Sequence, residues 1–209
     1  MDSRMLLASP HMSDEGYELE YIHDAFRKNW IAPLGENVNE FEKAVGAYLG
    51  KGHPVALSAG TAALHLAMIL AGVQPGDLVF CQSLTFSASA NPVTYLGGKP
   101  VFIDSEGDTW NMDPAALKKA FELYGTPKAV VVVHLYGNPA KLEEITALCR
   151  AHNVPLIEDA AEALVLPMAA RSAAPLASLA FCPSTATRSS PPPAAVCCCA
   201  GQTRRPSTP

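Results

Sequence analysis

The chain has 209 residues, which is enough for one ordinary domain and a small second one. With 49% hydrophobic and 17% charged residues, its composition excludes disorder over the whole chain. The net charge of -5 argues against a nucleic-acid or anionic-membrane surface. Uncharged apolar runs fall short of the roughly 20 residues that a membrane helix needs. We therefore expect a cytoplasmic protein with no nucleic-acid or membrane partner.

The composition changes abruptly near Leu164. Residues 1–164 carry 20 acidic and 11 basic residues, a balance of -9, whereas residues 165–209 carry four arginines and no lysine, aspartate or glutamate. The second segment also holds 8 of the 18 prolines and 4 of the 6 cysteines, and its one aromatic residue is Phe181. We therefore predict a folded domain over residues 1–164 and a disordered Pro/Ala/Ser/Cys-rich tail over residues 165–209.

Helix and strand patterns alternate along the first segment. The predicted helices are residues 12–29, 39–49, 62–71, 87–96, 113–123 and 140–152. The predicted strands are residues 54–57, 78–81, 100–104, 129–135 and 155–157. Asp113 followed by Pro114 is a typical helix start, and the apolar β-branched run after Lys128 is typical of a strand buried on both faces. The alternation predicts an α/β fold, with a mainly parallel sheet and helices on both faces.

Ligands of such sheets bind outside the carboxyl ends of the strands, so the polar residues there are candidate site residues. The small residues 58–61 join a strand to a helix, where free amides could hold a phosphate; an ordinary capped turn is the alternative. Asp159 could pair with a protonated ring nitrogen, as in pyridoxal phosphate enzymes, or cap a helix beginning at Ala160. Phe86 could stack on a planar ring or pack in the core.

Histidine and cysteine spacing predicts no metal site. The three adjacent thiols at residues 197–199 cannot surround one tetrahedral zinc ion. We interpret Cys81 and Cys149 as buried apolar residues, and His65 as a packed side chain on an apolar helix.

Six short motifs, taken in their order and spacing, resemble the DegT-type nucleotide-sugar aminotransferases, which are pyridoxal phosphate enzymes of the aspartate-aminotransferase fold. The motifs are NWIAPLG (29–35), ALSAGTAALH (56–65), LTF (84–86), ANP (90–92), WNMD (110–113) and EDAAE (158–162). The resemblance runs from about residue 9 to residue 164. It implies a truncated large domain of a fold-type-I aminotransferase.

The resemblance also implies roles for individual residues. The residues that it assigns to the cofactor are Gly60, Thr61 and Ala62 (phosphate), Phe86 (ring stacking), Asp159 (ring nitrogen) and Glu162 (near the phenolic oxygen). Trp30 opens a stretch similar to members that act on UDP-4-keto-6-deoxy amino sugars with glutamate as amino donor. The implied parent is a homodimer that binds pyridoxal phosphate, a nucleotide sugar and an amino-acid donor.

The family also requires a lysine about 25 residues after the aspartate to form a Schiff base with the cofactor. The last lysine of this chain is Lys141, and an arginine cannot deprotonate to replace it. When each codon is rebuilt from the last base of one codon and the first two bases of the next, residues 183–197 admit the family-like string FNGNKIITTSGGGM, with the lysine codon lying across Thr187 and Arg188. We therefore hypothesise that one base was lost near Leu164; a genuine Pro/Ala/Ser-rich tail is the alternative.

As written, the chain has no candidate catalytic residue, and we predict that it does not catalyse transamination. One alternative is a non-catalytic fragment that pairs with a full-length homologue. Another is a sugar dehydratase of the same family, in which histidine replaces the lysine, although residues 165–209 contain no histidine.

Overall fold

The computed structural model describes residues 15–49, 53–163, 176–181 and 195–201. The start of the predicted first helix lies outside the described residues. Thr187 and Arg188, whose codons would contain the lysine codon, also lie outside them. The helices are Tyr17–Arg27 (α1), Glu36–Leu49 (α2), Gly60–Leu70 (α3), Asn91–Tyr95 (α4), Pro114–Tyr124 (α5) and Leu142–Ala151 (α6). The strands are His53–Leu57 (β1), Leu78–Gln82 (β2), Lys99–Ile103 (β3), Ala129–Val133 (β4), Leu156–Asp159 (β5), Leu176–Phe181 (β6) and Ala195–Gly201 (β7).

All seven strands form one sheet in the order β1-β7-β6-β5-β4-β2-β3. β7 runs antiparallel to both of its neighbours, β1 and β6, and the other neighbouring strands are parallel. The predicted mainly parallel sheet is therefore confirmed. The carboxyl ends of β2, β4 and β5 meet at one edge of the sheet, because these strands are parallel and adjacent.

Two apolar clusters show that helices cover both faces of the sheet. On one face, Ala63 and Met68 of α3 pack with Val79 and Val131 of the sheet. On the other face, residues of α5 and α6 pack with alternate residues of the same strands, including Val130 and Leu156. All five residues of β4 are buried, as the β-branched run predicts.

Helix boundaries follow local chemistry. The side chain of Asp113 accepts a hydrogen bond from the amide of Ala115 at 2.8 Å and caps α5, which confirms the predicted start. The predicted helix 87–96 is instead a 3₁₀ turn at Ser87–Ser89 followed by the short helix α4. Pro92 explains the division, because it lies in the first turn of α4 and has no amide hydrogen to continue an earlier helix.

Two described segments lie within the predicted disordered tail, and disorder of that tail stays a prediction. The strands β6 and β7 both lie within residues 165–209, and the rest of that segment lies outside the described residues. Both strands are rich in apolar or small residues, and the edges of β5 and β1 offer them unpaired backbone groups.

Within the described ranges, every helix is too short or too polar to span a bilayer.

The α3 face of the core offers a test of this packing. We expect Met68→Ala to lower the free energy of unfolding by about 2–5 kcal/mol, because Met68 is fully buried and its truncation leaves a cavity. The matched control is Ile69→Ala on the same helix, since Ile69 is 49% exposed and should change stability by less than about 1 kcal/mol. Urea denaturation of the full chain, followed by circular dichroism, measures both. Equal losses in the two variants would contradict the assignment of Met68 to the core.

Candidate functional site

The amino end of α3 presents free backbone donors at the edge of the sheet. The chain leaves β1 through an extended Ala59 (φ -160°) and enters α3 at Gly60. The carbonyl of Ala59 accepts hydrogen bonds from the amides of Ala62 and Ala63, both at 3.1 Å. Within the described residues, the amides of Gly60 and Thr61 meet no acceptor. Together with the helix dipole, these two amides suit a phosphate group.

Asp159 ends β5 and is buried, with 8% of its surface exposed. Its Oδ2 accepts a hydrogen bond from Ser89 Oγ at 2.8 Å, and its Oδ1 accepts one from the amide of Ala161 at 3.3 Å. Burial raises the pKa of this carboxyl, whereas the Ser89 and Ala161 hydrogen bonds oppose the rise. Residues 160–163 form a turn, so the helix that Asp159 was alternatively expected to cap is not formed there.

Phe86 stands at the start of the 3₁₀ turn that carries Ser89. The Phe86 carbonyl accepts the Ser89 amide at 3.0 Å, which ties the two residues together. Phe86 is 71% exposed, so the alternative that it packs in the core is wrong. An exposed aromatic ring three residues from the partner of a buried carboxylate can cover a planar ligand, and its stacking role stays a prediction.

Glu162 joins two loops at the same edge. Its Oε2 accepts the amide of Tyr136, in the loop after β4. That loop approaches closely, because a Cβ at Gly137 (φ 76°) would lie 3.0 Å from the carbonyl oxygen of Glu162. Glycine is therefore needed at position 137. The proximity of Glu162 to a phenolic oxygen stays a prediction.

Trp30 lies apart from these groups, in the connection between α1 and α2. Its amide donates to the carbonyl of Ala25 at 2.9 Å, and a Cβ at Gly35 would meet its indole ring at 3.4 Å. The surrounding groove is lined by residues of α1, α2 and their connection, including Lys28 and Asn37. The structure thus brings Asp159 and the Phe86 turn together and leaves Trp30 in a separate groove.

A buried amide pair, Gln82 and Asn111, supports this edge without any role indicated by its sequence pattern. Gln82 Nε2 donates to Asn111 Oδ1 at 3.2 Å, and Gln82 Oε1 accepts the amide of Met112 at 2.9 Å. Asn111 in turn accepts the amide of Leu135 at 2.9 Å and donates to the carbonyl of Asn138 at 2.8 Å. Three segments after separate strands are therefore joined by two side chains. The WNMD motif was the signal that could have identified Asn111.

A second buried pair lies beside Asp159. His134 Nε2 is 3.6 Å from Glu158 Oε2, and both side chains are almost fully buried. His134 Nδ1 accepts the amide of Ala140 at 3.1 Å, which leaves the proton of a neutral ring on Nε2, facing Glu158. Glu158 and Asp159 are successive strand residues, so their side chains point to opposite faces of the sheet.

The last lysine of the chain is held in an ion-pair cluster. Lys141 Nζ lies 2.9 Å from Glu106 Oε2 and 2.7 Å from Asp108 Oδ2. These two carboxylates raise the pKa of the Lys141 ammonium, which keeps it protonated and unsuited to attack a carbonyl. The pKa of Glu106 falls to about 2, first because of the Thr109 hydroxyl and then because of Lys141.

Cysteine and histidine positions agree with packing roles. Cys81 and Cys149 are buried free thiols, as interpreted from the sequence, and burial raises the pKa of each to about 12. His65 packs edge-on against Tyr95 with ring centroids 5.6 Å apart. Among the described residues, no group of three or more potential ligands has the arrangement of a metal site.

Comparison with known proteins gives consistent matches. The family model described as the DegT/DnrJ/EryC1/StrS aminotransferase family matches residues 13–183. EpsN of Bacillus subtilis strain 168, described as a pyridoxal phosphate-dependent aminotransferase, is 55% identical over 168 residues, covering 78% of this chain and 43% of EpsN. GDP-perosamine synthase of Caulobacter vibrioides is 42% identical over 163 residues, covering 77% of this chain and 42% of that protein.

Among solved structures, the aminotransferase from Psychrobacter cryohalolentis superposes with a TM-score of 0.78 at 26% identity. That match covers 91% of this chain and 49% of the solved chain. The chain therefore spans about half the length, or less, of the proteins that it matches.

The buried amide pair is testable by truncation. We expect Gln82→Ala to lower the free energy of unfolding by about 1–3 kcal/mol, because it leaves the buried Met112 amide without its acceptor and removes one of the hydrogen bonds to Asn111. Gln74→Ala, at an exposed position, is the matched control and should change stability by less than about 0.5 kcal/mol. Urea denaturation measures both variants. A loss for Gln82→Ala no larger than for Gln74→Ala would contradict the supporting role of the pair.

The Glu106 cluster predicts a pH dependence with a defined sign. Because its pKa in the folded chain is about 2, below the ordinary value of 4.5, the ionised Glu106 stabilises the fold above about pH 4.5. This stabilisation is lost as the pH falls toward 2. We therefore expect Glu106→Gln to be destabilising at neutral pH, with a deficit that shrinks at acid pH.

Urea denaturation at a series of pH values measures this deficit. Glu122→Gln, at an exposed position on α5, is the matched control. A deficit for Glu106→Gln that stays constant between about pH 7 and about pH 3 would refute the electrostatic origin.

Proposed function

Because this chain belongs to the DegT/DnrJ/EryC1/StrS aminotransferase family, as its motifs predict, we propose that it derives from an enzyme that aminates a nucleotide-linked ketosugar. The similarity to a GDP-perosamine synthase supports a nucleotide-sugar substrate. The stretch that begins at Trp30 supports the finer proposal of a UDP-4-keto-6-deoxy amino sugar, with glutamate as the amino donor.

The proposed cofactor is pyridoxal phosphate, which is also named in the description of EpsN. When bound, this group supplies a protonated pyridine ring that withdraws electrons from the reacting carbon. The free amides of Gly60 and Thr61, with Ala62 behind them, suit its phosphate. The single observation that carries the proposal is the buried carboxylate of Asp159 at the carboxyl end of β5, because an ionised carboxylate there can hold a proton on the ring nitrogen.

The residues present fit the phosphate and the ring nitrogen but supply no imine-forming amine. Lys141 is protonated and held by Glu106 and Asp108, and no lysine follows it. We infer that the chain as written does not catalyse transamination and that its parent gene carries the lysine codon across Thr187 and Arg188. The reading-frame match of residues 183–197 supports this inference.

Restoring the frame tests the proposal directly. A gene with one base inserted at the codons of Leu164 and Val165 should yield a protein that transfers the amino group of glutamate to a UDP-4-keto-6-deoxy amino sugar. The 209-residue chain should show no turnover above the reaction without protein. Product formation, followed by mass spectrometry, measures both. The control is the restored gene with its lysine codon changed to alanine, which should lose at least about 1,000-fold in rate.

Turnover by the 209-residue chain would refute its inactivity, and an inactive restored protein would refute the frame hypothesis. Resequencing the gene across the codons of Glu162 to Arg171 shows whether the base is missing in the organism.

A second candidate function, pairing with a full-length homologue, has support in α1. Within this helix no residue is buried, although it carries five large apolar or aromatic side chains. Those side chains are Tyr17, Leu19, Tyr21, Ile22 and Phe26. An uncovered apolar surface of this kind is typical of an interface. Co-purification of the chain with the restored protein supports pairing, whereas separate elution from size-exclusion chromatography contradicts it.

A further inference from the structure

Two hydroxyl groups lie in line behind Asp159. Thr85 Oγ1 is 2.9 Å from Ser89 Oγ, and Ser89 Oγ is 2.8 Å from Asp159 Oδ2. Ser89 is 1% exposed, and the 3₁₀ turn at Ser87–Ser89 brings its side chain back toward β5. The three residues come from two segments that are 70 positions apart in the chain.

The direction of the hydrogen bonds follows from the number of protons. An ionised carboxylate only accepts hydrogen bonds, so Ser89 must give its single proton to Asp159. Thr85 must then donate to Ser89, because Ser89 has no second proton to offer. Both hydroxyl dipoles therefore point toward the carboxylate, and each strengthens the other.

We propose that Thr85 and Ser89 are positioning residues, a two-hydroxyl relay that keeps Asp159 ionised and turned toward the ring nitrogen of the cofactor. The relay engages Oδ2, so Oδ1, whose contact with the Ala161 amide is the longer at 3.3 Å, is the oxygen that would meet a cofactor ring nitrogen. This inference rests on the proposed function for its ligand, but the relay itself is a property of the chain without ligand.

The relay is needed because the other surroundings of Asp159 do not favour its charge. Burial favours the protonated form and raises the pKa of the carboxyl. Of the other titratable groups, a protonated His134 would lower the pKa of Asp159, and the Glu162 carboxylate raises it. The Ser89 hydrogen bond is the largest contribution that lowers the pKa. A protonated Asp159 could no longer balance a pyridinium charge.

The first test needs no cofactor. The full chain is labelled with ¹³C at the aspartate carboxyl groups and titrated by NMR, with Asp159→Asn to assign the signal. Ser89→Ala should shift the Asp159 midpoint upward, and Thr85→Val should shift it less. The matched control is Ser87→Ala, exposed on the same turn, which should leave the midpoint unchanged. Thr85→Ser, which keeps the hydroxyl that Thr85→Val removes, should restore the Asp159 midpoint of the unsubstituted chain. An unchanged midpoint in Ser89→Ala would overturn the proposal.

The second test uses pyridoxamine phosphate as the probe, with binding followed by its fluorescence. Ser89→Ala should raise the dissociation constant by about tenfold at a low pH and by less at a higher pH, where Asp159 ionises again. A purely structural defect would weaken binding equally at both pH values, and that result would overturn the relay.

The two tests separate the relay from the proposed function. A titration shift without pyridoxamine phosphate binding to the unsubstituted chain supports the relay and refutes the cofactor site. Binding that neither Ser89→Ala nor Thr85→Val alters supports the cofactor site and refutes the relay.

Discussion

The buried pair of Gln82 and Asn111 holds the carboxyl edge of the sheet together. Where parallel strands end, their loops leave the hydrogen-bonded ladder, and each buried amide or carbonyl group needs another partner. Gln82 and Asn111 supply those partners for the segments around Met112, Leu135 and Asn138. The loop after β4 is thereby fixed in the position from which the Tyr136 amide donates to Glu162. The turn after Asp159 depends in this way on two neutral side chains.

Much of the fold could be predicted because it follows from short sequence patterns that indicate helix starts and buried strands. Asp113 with Pro114 is a capping signal within three residues, and the apolar run of β4 is a strand signal within five. The alternation of such elements then implies a parallel sheet. Asp159 could be selected as a site residue for the same reason, since a carboxylate directly after a buried strand must lie at the ligand-binding edge.

The supporting residues could not be predicted, because their meaning depends on contacts between distant segments. In the sequence, Ser89 is one small residue among several and nothing nearby indicates its role. Its role follows from the fold, which brings it into contact with Asp159, 70 residues later. Gln82 and Asn111, 29 residues apart, meet only because β2 lies between β3 and β4. Composition does not indicate β6 and β7, since it describes a segment alone and takes no account of the strand edges available to it.

The position of β7 has a consequence for how the protein is made. Among the described strands, β1 pairs only with β7. Residues 53–57 can therefore enter the sheet only after residues 195–201 have left the ribosome. During that interval α3 has β2, β4 and β5 to pack against, whereas β1 lacks its described strand partner, although its Ala56 amide donates to Glu42 Oε1. The nascent chain is therefore exposed to mispairing at its first strand for most of its synthesis, which makes early chaperone contact near His53–Leu57 valuable.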